Sequence, residues 1–262
     1  MKIALHHNGA DHQVAAMEAM CEGLEKDGHE TIVTTVRERV RADLQFVWGI
    51  RNLWCITTNF IVLEAGYING NSGDYINDRL NYVSFSVNGL HGLAKPHPPA
   101  PSGDRWQSLG IEPKPWREPK KNFMLVIGQN PLDAVAGIPY RVWARNTTRQ
   151  LQRAGRLFKF RNHPLINPNE LPLAEDLANA DTVVTWCSTT AVEAVLEGIP
   201  TVAYSDYSIS QDVCSRTIDE PLWKGDRTDW CHQLGYRQWK LGELADGTAW
   251  EWMLHVYNSQ TE

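Results

Sequence analysis

Three adjacent hydroxyls, Ser188, Thr189 and Thr190, are the part of this sequence best suited to hold an anion. They stand between a short β-branched run at 182–186 and a segment whose apolar residues Ala191, Val192, Val195 and Leu196 fall at helical spacing. Gly198 and Pro200 stop that helix, and 201–204 predicts the next strand. A helix entered from the carboxyl end of a buried parallel strand aims its unbonded N–H groups at the place where ligands bind in doubly wound sheets. Three hydroxyls there suit a phosphate or pyrophosphate. The helix dipole adds only about 0.3–1 kcal/mol per charge, so tight binding needs further partners. Glu193 follows Ser188 by five residues and can receive ribose hydroxyls. An ordinary capped helix, with Ser188 or a neighbour as N-cap, is the plainer reading of the same residues.

Further partners come from two upstream segments. A strand over 122–127 delivers Gly128, Gln129 and Asp133, where glycine permits close backbone approach and Gln129 can donate to a phosphate or acceptor oxygen. A strand over 157–160 delivers Arg161 and His163, which can stabilise the charge developing on a departing phosphate without a metal. A His fixed by packing against Pro164 is the alternative.

Near the start, a strand over 2–7 leads into a loop carrying Gly9, Asp11 and His6, His7 and His12. Such a loop at the carboxyl edge of a sheet is a candidate catalytic loop, with Asp11 as helix N-cap, general base or both. His6 and His7 on a strand face opposite ways and no other ligand cluster joins them, so no metal is expected. Glu64 ends a further strand at 61–67, and Asp78 and Arg79 follow a short loop later, which with His12 makes a second candidate set in the first half. Arg141, Arg145, Arg149, Arg153 and Arg156 form a basic stripe on one helix face. The stripe is either a nucleic-acid patch or a solvated face balanced by nearby acids.

These residues need two α/β halves to position them. The 262 residues with 42% apolar content support real cores. A strand, a helix over 15–24 and strands at 31–36 and 44–49 open the first half. Seven of the fourteen prolines lie between 96 and 119, marking a connection. The expected organisation is a first Rossmann-like domain at 1–95, a Pro-rich connection at 96–120 and a second Rossmann-like domain at 121–220. A tail at 221–262, predicted as two helices over 230–239 and 241–257, follows.

No apolar run is long enough for a membrane span, no signal-peptide core opens the sequence, and the five cysteines lack metal-ligand spacing. A protein of the cytoplasm with reduced thiols is expected. The net charge of -6 means that any DNA binding must come from a local patch and fall steeply with salt.

The stretch 180–206 resembles the donor-binding segment of GT-B glycosyltransferases and of non-hydrolysing sugar-nucleotide epimerases, in which a small hydroxyl residue opens a helix, a Glu follows and Gly-x-Pro ends it. Phe160-Arg161-Asn162-His163-Pro164-Leu165 is similar to the His-Pro motif of bacterial sialyl- and Kdo-type transferases. Ile127-Gly128-Gln129-Asn130-Pro131-Leu132-Asp133-Ala134 resembles the Gly-Gln…Asp segment of capsule-polysaccharide Kdo transferases. Residues 78–92 and Trp48-Gly49-Ile50-Arg51 look like small phage and prophage proteins of GT-B type.

The resemblance implies a GT-B-like α/β fold of two Rossmann-like halves with a crevice between them and a C-terminal helical clasp. It implies a metal-independent glycosyltransferase with no cofactor and a UDP- or CMP-linked sugar as co-substrate. Ser188, Thr189, Thr190, His163 and Gln129 would hold its phosphate, Glu193 its ribose, and Asp11 or Glu64 would act at the acceptor hydroxyl. The phage likeness implies a hydroxymethylated pyrimidine in double-stranded DNA as acceptor and the host cytoplasm as location. A glycan or lipid-linked acceptor, an epimerase, and an idle nucleotide- or nucleic-acid-binding protein are the alternatives.

Overall fold

Alternation along the first strand sets the architecture of the N-terminal unit. In β1 (Lys2–His7), Ile3 and Leu5 point to one face while Ala4 and His6 point to the other. Parallel pairing with β2 (Glu30–Thr35) and β3 (Leu44–Trp48), and of β3 with β4 (Phe60–Ala65), carries that alternation across the sheet: Leu5 lies opposite Phe46 and Phe46 opposite Ile61. β5 (Val83–Val87) continues it antiparallel, with Phe85 opposite Leu63. The computed structural model describes residues 1–68, 82–94, 96–120, 122–130, 137–167 and 171–261. Asp78, Arg79 and Asp133 lie outside them.

The chain divides into two units, Met1–Leu109 together with Cys231–Glu262, and Gly110–Trp230. In the first, the sheet order is β10-β5-β4-β3-β1-β2, where β10 (Gln238–Trp239) is an antiparallel edge supplied by the tail. Its apolar face, including Leu5, Phe46, Leu63 and Phe85, is covered by α1 (Asp11–Lys26) and by two tail helices, α7 (Leu241–Ala245) and α8 (Thr248–Thr261). Burying a side chain such as Phe46 or Leu63 there stabilises by about 1.5–3 kcal/mol. Gly23 is required where α1 meets α7, since a Cβ there would lie 2.0 Å from the Leu244 carbonyl oxygen.

Two sequence expectations change here. The first helix begins at Asp11, four residues before the apolar face at 15–24; Ala10 is its N-cap with no side-chain bond, so Asp11 is a first-turn acid favoured by the helix dipole and not the expected cap. The tail is not two helices, because Gln238 and Trp239 are drawn into the sheet beside Ser84 and Val83, and Gly247, at φ +93, separates α7 from α8. The tail's break with the second unit falls within the helix Thr228–Tyr236, so Trp223, edge-on to Trp116, belongs to the second unit.

The second unit holds β6 (Phe123–Ile127), α3 (Gly137–Arg153), β7 (Phe158–Arg161), α4 (Leu173–Asn179), β8 (Ala180–Thr185), α5 (Thr190–Leu196) and β9 (Thr201–Ala203). All pairings are parallel, in the order β7-β6-β8-β9. One face packs Val126, Val184 and Val202 against Trp143 and Leu151 of α3. The other packs Leu125, Ile127 and Val183 against Leu177 of α4 and Ala194 of α5. Both faces being covered explains the near-continuous apolar runs of these strands.

Candidate functional site

Because all four strands of the second unit run parallel, the segments that follow them emerge at one edge. Gly128 and Gln129 follow β6, Asn162 and His163 follow β7, 186–189 follow β8 and Tyr204 follows β9. Neighbouring segments are bonded together: Gly128 N–H donates to the Arg161 carbonyl at 2.7 Å, and Ser205 N–H donates to the Trp186 carbonyl at 2.9 Å. The Gln129 amide is paired with the Cys187 thiol, donating from Nε2 to Sγ at 3.0 Å. Gly128 is needed for strand packing, since a Cβ there would stand 2.9 Å from the Arg161 carbonyl oxygen.

The hydroxyl turn is organised from within. Thr185 Oγ1, at the end of β8, accepts from Ser188 N–H at 3.0 Å. Ser188 Oγ accepts from Thr190 N–H at 3.3 Å and donates to Thr190 Oγ1 at 3.2 Å. Thr189 is the N-cap position of α5 and makes no side-chain cap bond, so the capping bond comes from Ser188 one residue earlier. Ser188 thus caps the helix by a short serine turn.

His163 Nδ1 accepts from Leu165 N–H at 3.2 Å, which assigns the ring proton to Nε2 in a neutral ring. Arg161 turns away from the expected role. Its Nη1 bonds the buried Asp176 carboxylate at 2.5 Å and the Leu171 carbonyl at 2.8 Å, and Lys159 bonds the same carboxylate at 2.6 Å. Asp176 is 2% exposed, so two cations compensate one buried acid. Glu193 lies in the first turn of α5. Desolvation pushes its carboxyl up from the usual range, Arg161 pulls it down and Glu197 adds a smaller upward push.

Sequence reading missed two supports of this edge. Tyr140, in α3, accepts the Gln129 N–H on its hydroxyl at 2.8 Å. It opens an aromatic series in which Trp143 packs on Tyr140, Trp186 and Tyr204 at centroid distances of 5.7, 5.9 and 5.7 Å. Thr185 is the other. A polar residue ending an apolar strand run was the available signal for Thr185; Tyr140 offered none beyond its helical spacing.

In the first unit, Asp11, His12 and Glu64 gather at the carboxyl edge of the parallel strands. Asn8 Oδ1 accepts from Ala10 N–H at 2.9 Å and Gln13 Oε1 from Asn8 N–H at 3.0 Å, fixing the loop that carries Asp11. His12 stands edge-on to Trp48 at 5.1 Å. Glu64 lies beside Gly49, which follows β3; a Cβ on Gly49 would come within 2.7 Å of Glu64 Oε1, and the residue's φ of +62 also favours glycine.

Arg141, Arg145, Arg149 and Arg153 stand on the outer face of α3, whereas Arg156, expected on the same helix face, lies beyond its end after the turn at Gly155, φ +62. Arg141, Arg145, Arg149, Arg153 and Arg156 are all exposed, and among the described residues none makes an ion pair. Among the described residues no carboxylate pairs with them, and Asp219, which reaches this helix, bonds Gln150 at 2.7 Å. Like charges at four-residue spacing each cost a helix about 0.2–0.5 kcal/mol. Among the described residues no three metal-ligating side chains cluster, and no helix is long and apolar enough to cross a membrane.

No protein-family model matches the sequence, and no curated protein matches it. Two solved structures share its fold over nearly its whole length. The Thermosulfurimonas dismutans KpsC β-Kdo 2,7-transferase is similar with a TM-score of 0.59 and 13% identity, covering 100% of both chains. The β-Kdo 2,4-transferase of the same organism's KpsC is similar with a TM-score of 0.53 and 10% identity, covering 91% of each. At such identities the likeness establishes the architecture, an α/β fold of two Rossmann-like halves of GT-B type whose C-terminal helices belong to the first half.

Proposed function

We propose that the chain is a nucleotide-sugar-dependent glycosyltransferase that transfers its sugar to a hydroxyl of a glycan. The carrying observation is the edge of the parallel four-stranded sheet, where Gln129, His163 and the Ser188–Thr190 turn emerge from three adjacent strands. The two KpsC structures of like fold, both named as Kdo transferases, support the reaction class and a glycan acceptor.

In this reading the donor's phosphate accepts from the turn's N–H and hydroxyl groups and from His163 Nε2–H, while Glu193 receives the ribose hydroxyls. The bond from the anomeric carbon to the phosphate oxygen breaks and its electron pair leaves with the nucleotide. The acceptor oxygen bonds to that carbon, and its proton passes to a base. Asp11 or Glu64 would be that base if the anomeric configuration inverts; if it is retained, the leaving phosphate takes the proton. Arg161, held by Asp176, acts on Glu193 through its field and not as a phosphate clamp.

Calorimetric titration with UDP, CMP, GDP and ADP and their sugar conjugates tests the reading. One nucleotide should bind, and Ser188→Ala, His163→Ala and Glu193→Ala should each weaken it by about tenfold, as expected for losing a charge-assisted hydrogen bond. Unchanged affinity in all three would remove the donor site. Transfer to hydroxymethylated DNA but not to glycan acceptors would overturn the acceptor assignment.

A further inference from the structure

We propose that the exposed face of α3 docks the protein on an anionic phospholipid surface. This rests on the helix alone and is independent of the donor site.

Five arginines within sixteen residues, 141–156, share that stretch with no Asp or Glu. At 3.6 residues per turn, Arg141, Arg145, Arg149 and Arg153 sweep an arc of about 120° and run for ~18 Å along the axis. All are exposed and without an ion-pair partner among the described residues, in a chain whose net charge is -6. The opposite face of the helix is fixed in the core through Tyr140, Trp143 and Leu151, at 8%, 6% and 1% exposure. The arginines are therefore presented across one broad helix face by a rigid support. A planar guanidinium fork matches a phosphodiester oxygen pair, and several forks on one exposed face suit an array of headgroups.

Exposed apolar side chains on and just beyond this helix favour lipid over nucleic acid. Val142 falls inside the arc swept by the arginines and is 41% exposed; Leu157, directly after Arg156, is 70% exposed. Aliphatic side chains among basic ones enter the boundary between headgroups and acyl chains. Gripping a single strand would call for aromatic side chains on which bases stack. The aromatics of this helix, Tyr140 and Trp143, are instead buried in the core.

Sedimentation of the full chain with vesicles of phosphatidylglycerol and phosphatidylcholine, against vesicles of phosphatidylcholine alone, reads this directly. Binding should require the anionic lipid and weaken with salt. Each arginine removed should lower the partition coefficient by about fivefold, so Arg145→Ala with Arg149→Ala should lower it about 25-fold. Arg145→Lys with Arg149→Lys should retain most of the binding, and Arg41→Ala, exposed in the first unit, should leave it unchanged. Leu157→Ser should weaken binding at high salt, where the aliphatic contact persists. The alanine changes are on an exposed helix face and favour helix, so an unchanged melting temperature certifies the fold. Absence of anionic-vesicle binding, or binding indifferent to the double alanine change, overturns the proposal. Tighter binding to duplex DNA than to vesicles, lost in the double alanine variant and untouched by Leu157→Ser, overturns it in favour of a nucleic-acid face.

Discussion

The two sheets solve burial differently. The four-stranded sheet is apolar on both faces, so its polar chemistry is expelled to the edge where strands end. The six-stranded sheet is continuously apolar only under its helices; elsewhere the buried Ala4, Val47 and Val62 are mixed with polar side chains. Its other face carries His6, Gln45, Ser84, Ser86 and Gln238, each buried to 3% exposure or less. These groups are mostly bonded to one another or to backbone: Gln45 Oε1 accepts from Thr57 N–H at 2.6 Å while its Nε2 donates to the Val40 carbonyl, and Gln238 Oε1 accepts from the N–H groups of Tyr67 and Ile68. Side-chain amides here satisfy loops that helices would otherwise cover. The lesson is that a buried polar face fixes loop conformation, whereas a doubly apolar sheet fixes only the platform.

Exchanging polarity between the two sheets should break this contrast if it is wrong. The largest effect belongs to Val184→Asn, which places an amide with no partner in the second unit; a loss of about 3 kcal/mol is expected in denaturant unfolding. Gln45→Leu goes the other way and should still destabilise, by about 2 kcal/mol, because it strands the Thr57 N–H and the Val40 carbonyl. A neutral or stabilising result there would show that the polar face is indifferent to its bonds.

A smaller effect is pH-dependent. Burial and the Arg237 charge push the His91 imidazole down to about 4, and the same causes hold His97 well below its usual range. Between about 6.5 and about 4 the unfolded chain therefore binds protons that the folded chain refuses. Stability contributed by these neutral rings is full above that window and falls as pH drops through it. His91→Asn, which suits the φ of +50 at this position, should flatten the slope of melting temperature against pH in that range. The smallest change is Ser188→Ala: loss of the Thr190 N–H acceptor should cost no more than about 1 kcal/mol of stability while nucleotide affinity falls tenfold.

Elements bounded by strong local signals were legible in the sequence. The order β8, α5, β9 follows from the β-branched run, the hydroxyl turn and the Gly198 and Pro200 stops, and β1 was bounded by its own alternation. What was not legible depended on distant partners. β10 is two residues long and exists because β5 offers an edge, and Arg161 is claimed by an Asp176 whose position in space no spacing rule supplies. The start of α1 was legible to within one residue, and its cap was misplaced because Asp11, a residue type that caps helices, stands in the first turn instead. For Gln129, His163 and the Ser188–Thr190 turn, strand order was the missing information: chemistry-bearing side chains were visible one by one, and only parallel pairing puts their loops on one edge.

The return of the tail into the first unit has a kinetic consequence. Trp250, Met253 and Val256 complete a core begun by Ile3 and Leu5, and Lys26 donates to the Ala245 carbonyl across 219 residues of chain. During synthesis the second unit leaves the ribosome whole while the first still lacks its edge strand and two of its covering helices. The inserted unit can therefore fold as a closed body first, and the sheet that precedes it must wait, with Phe46, Leu63 and Phe85 uncovered by α8, for the last thirty or so residues to arrive.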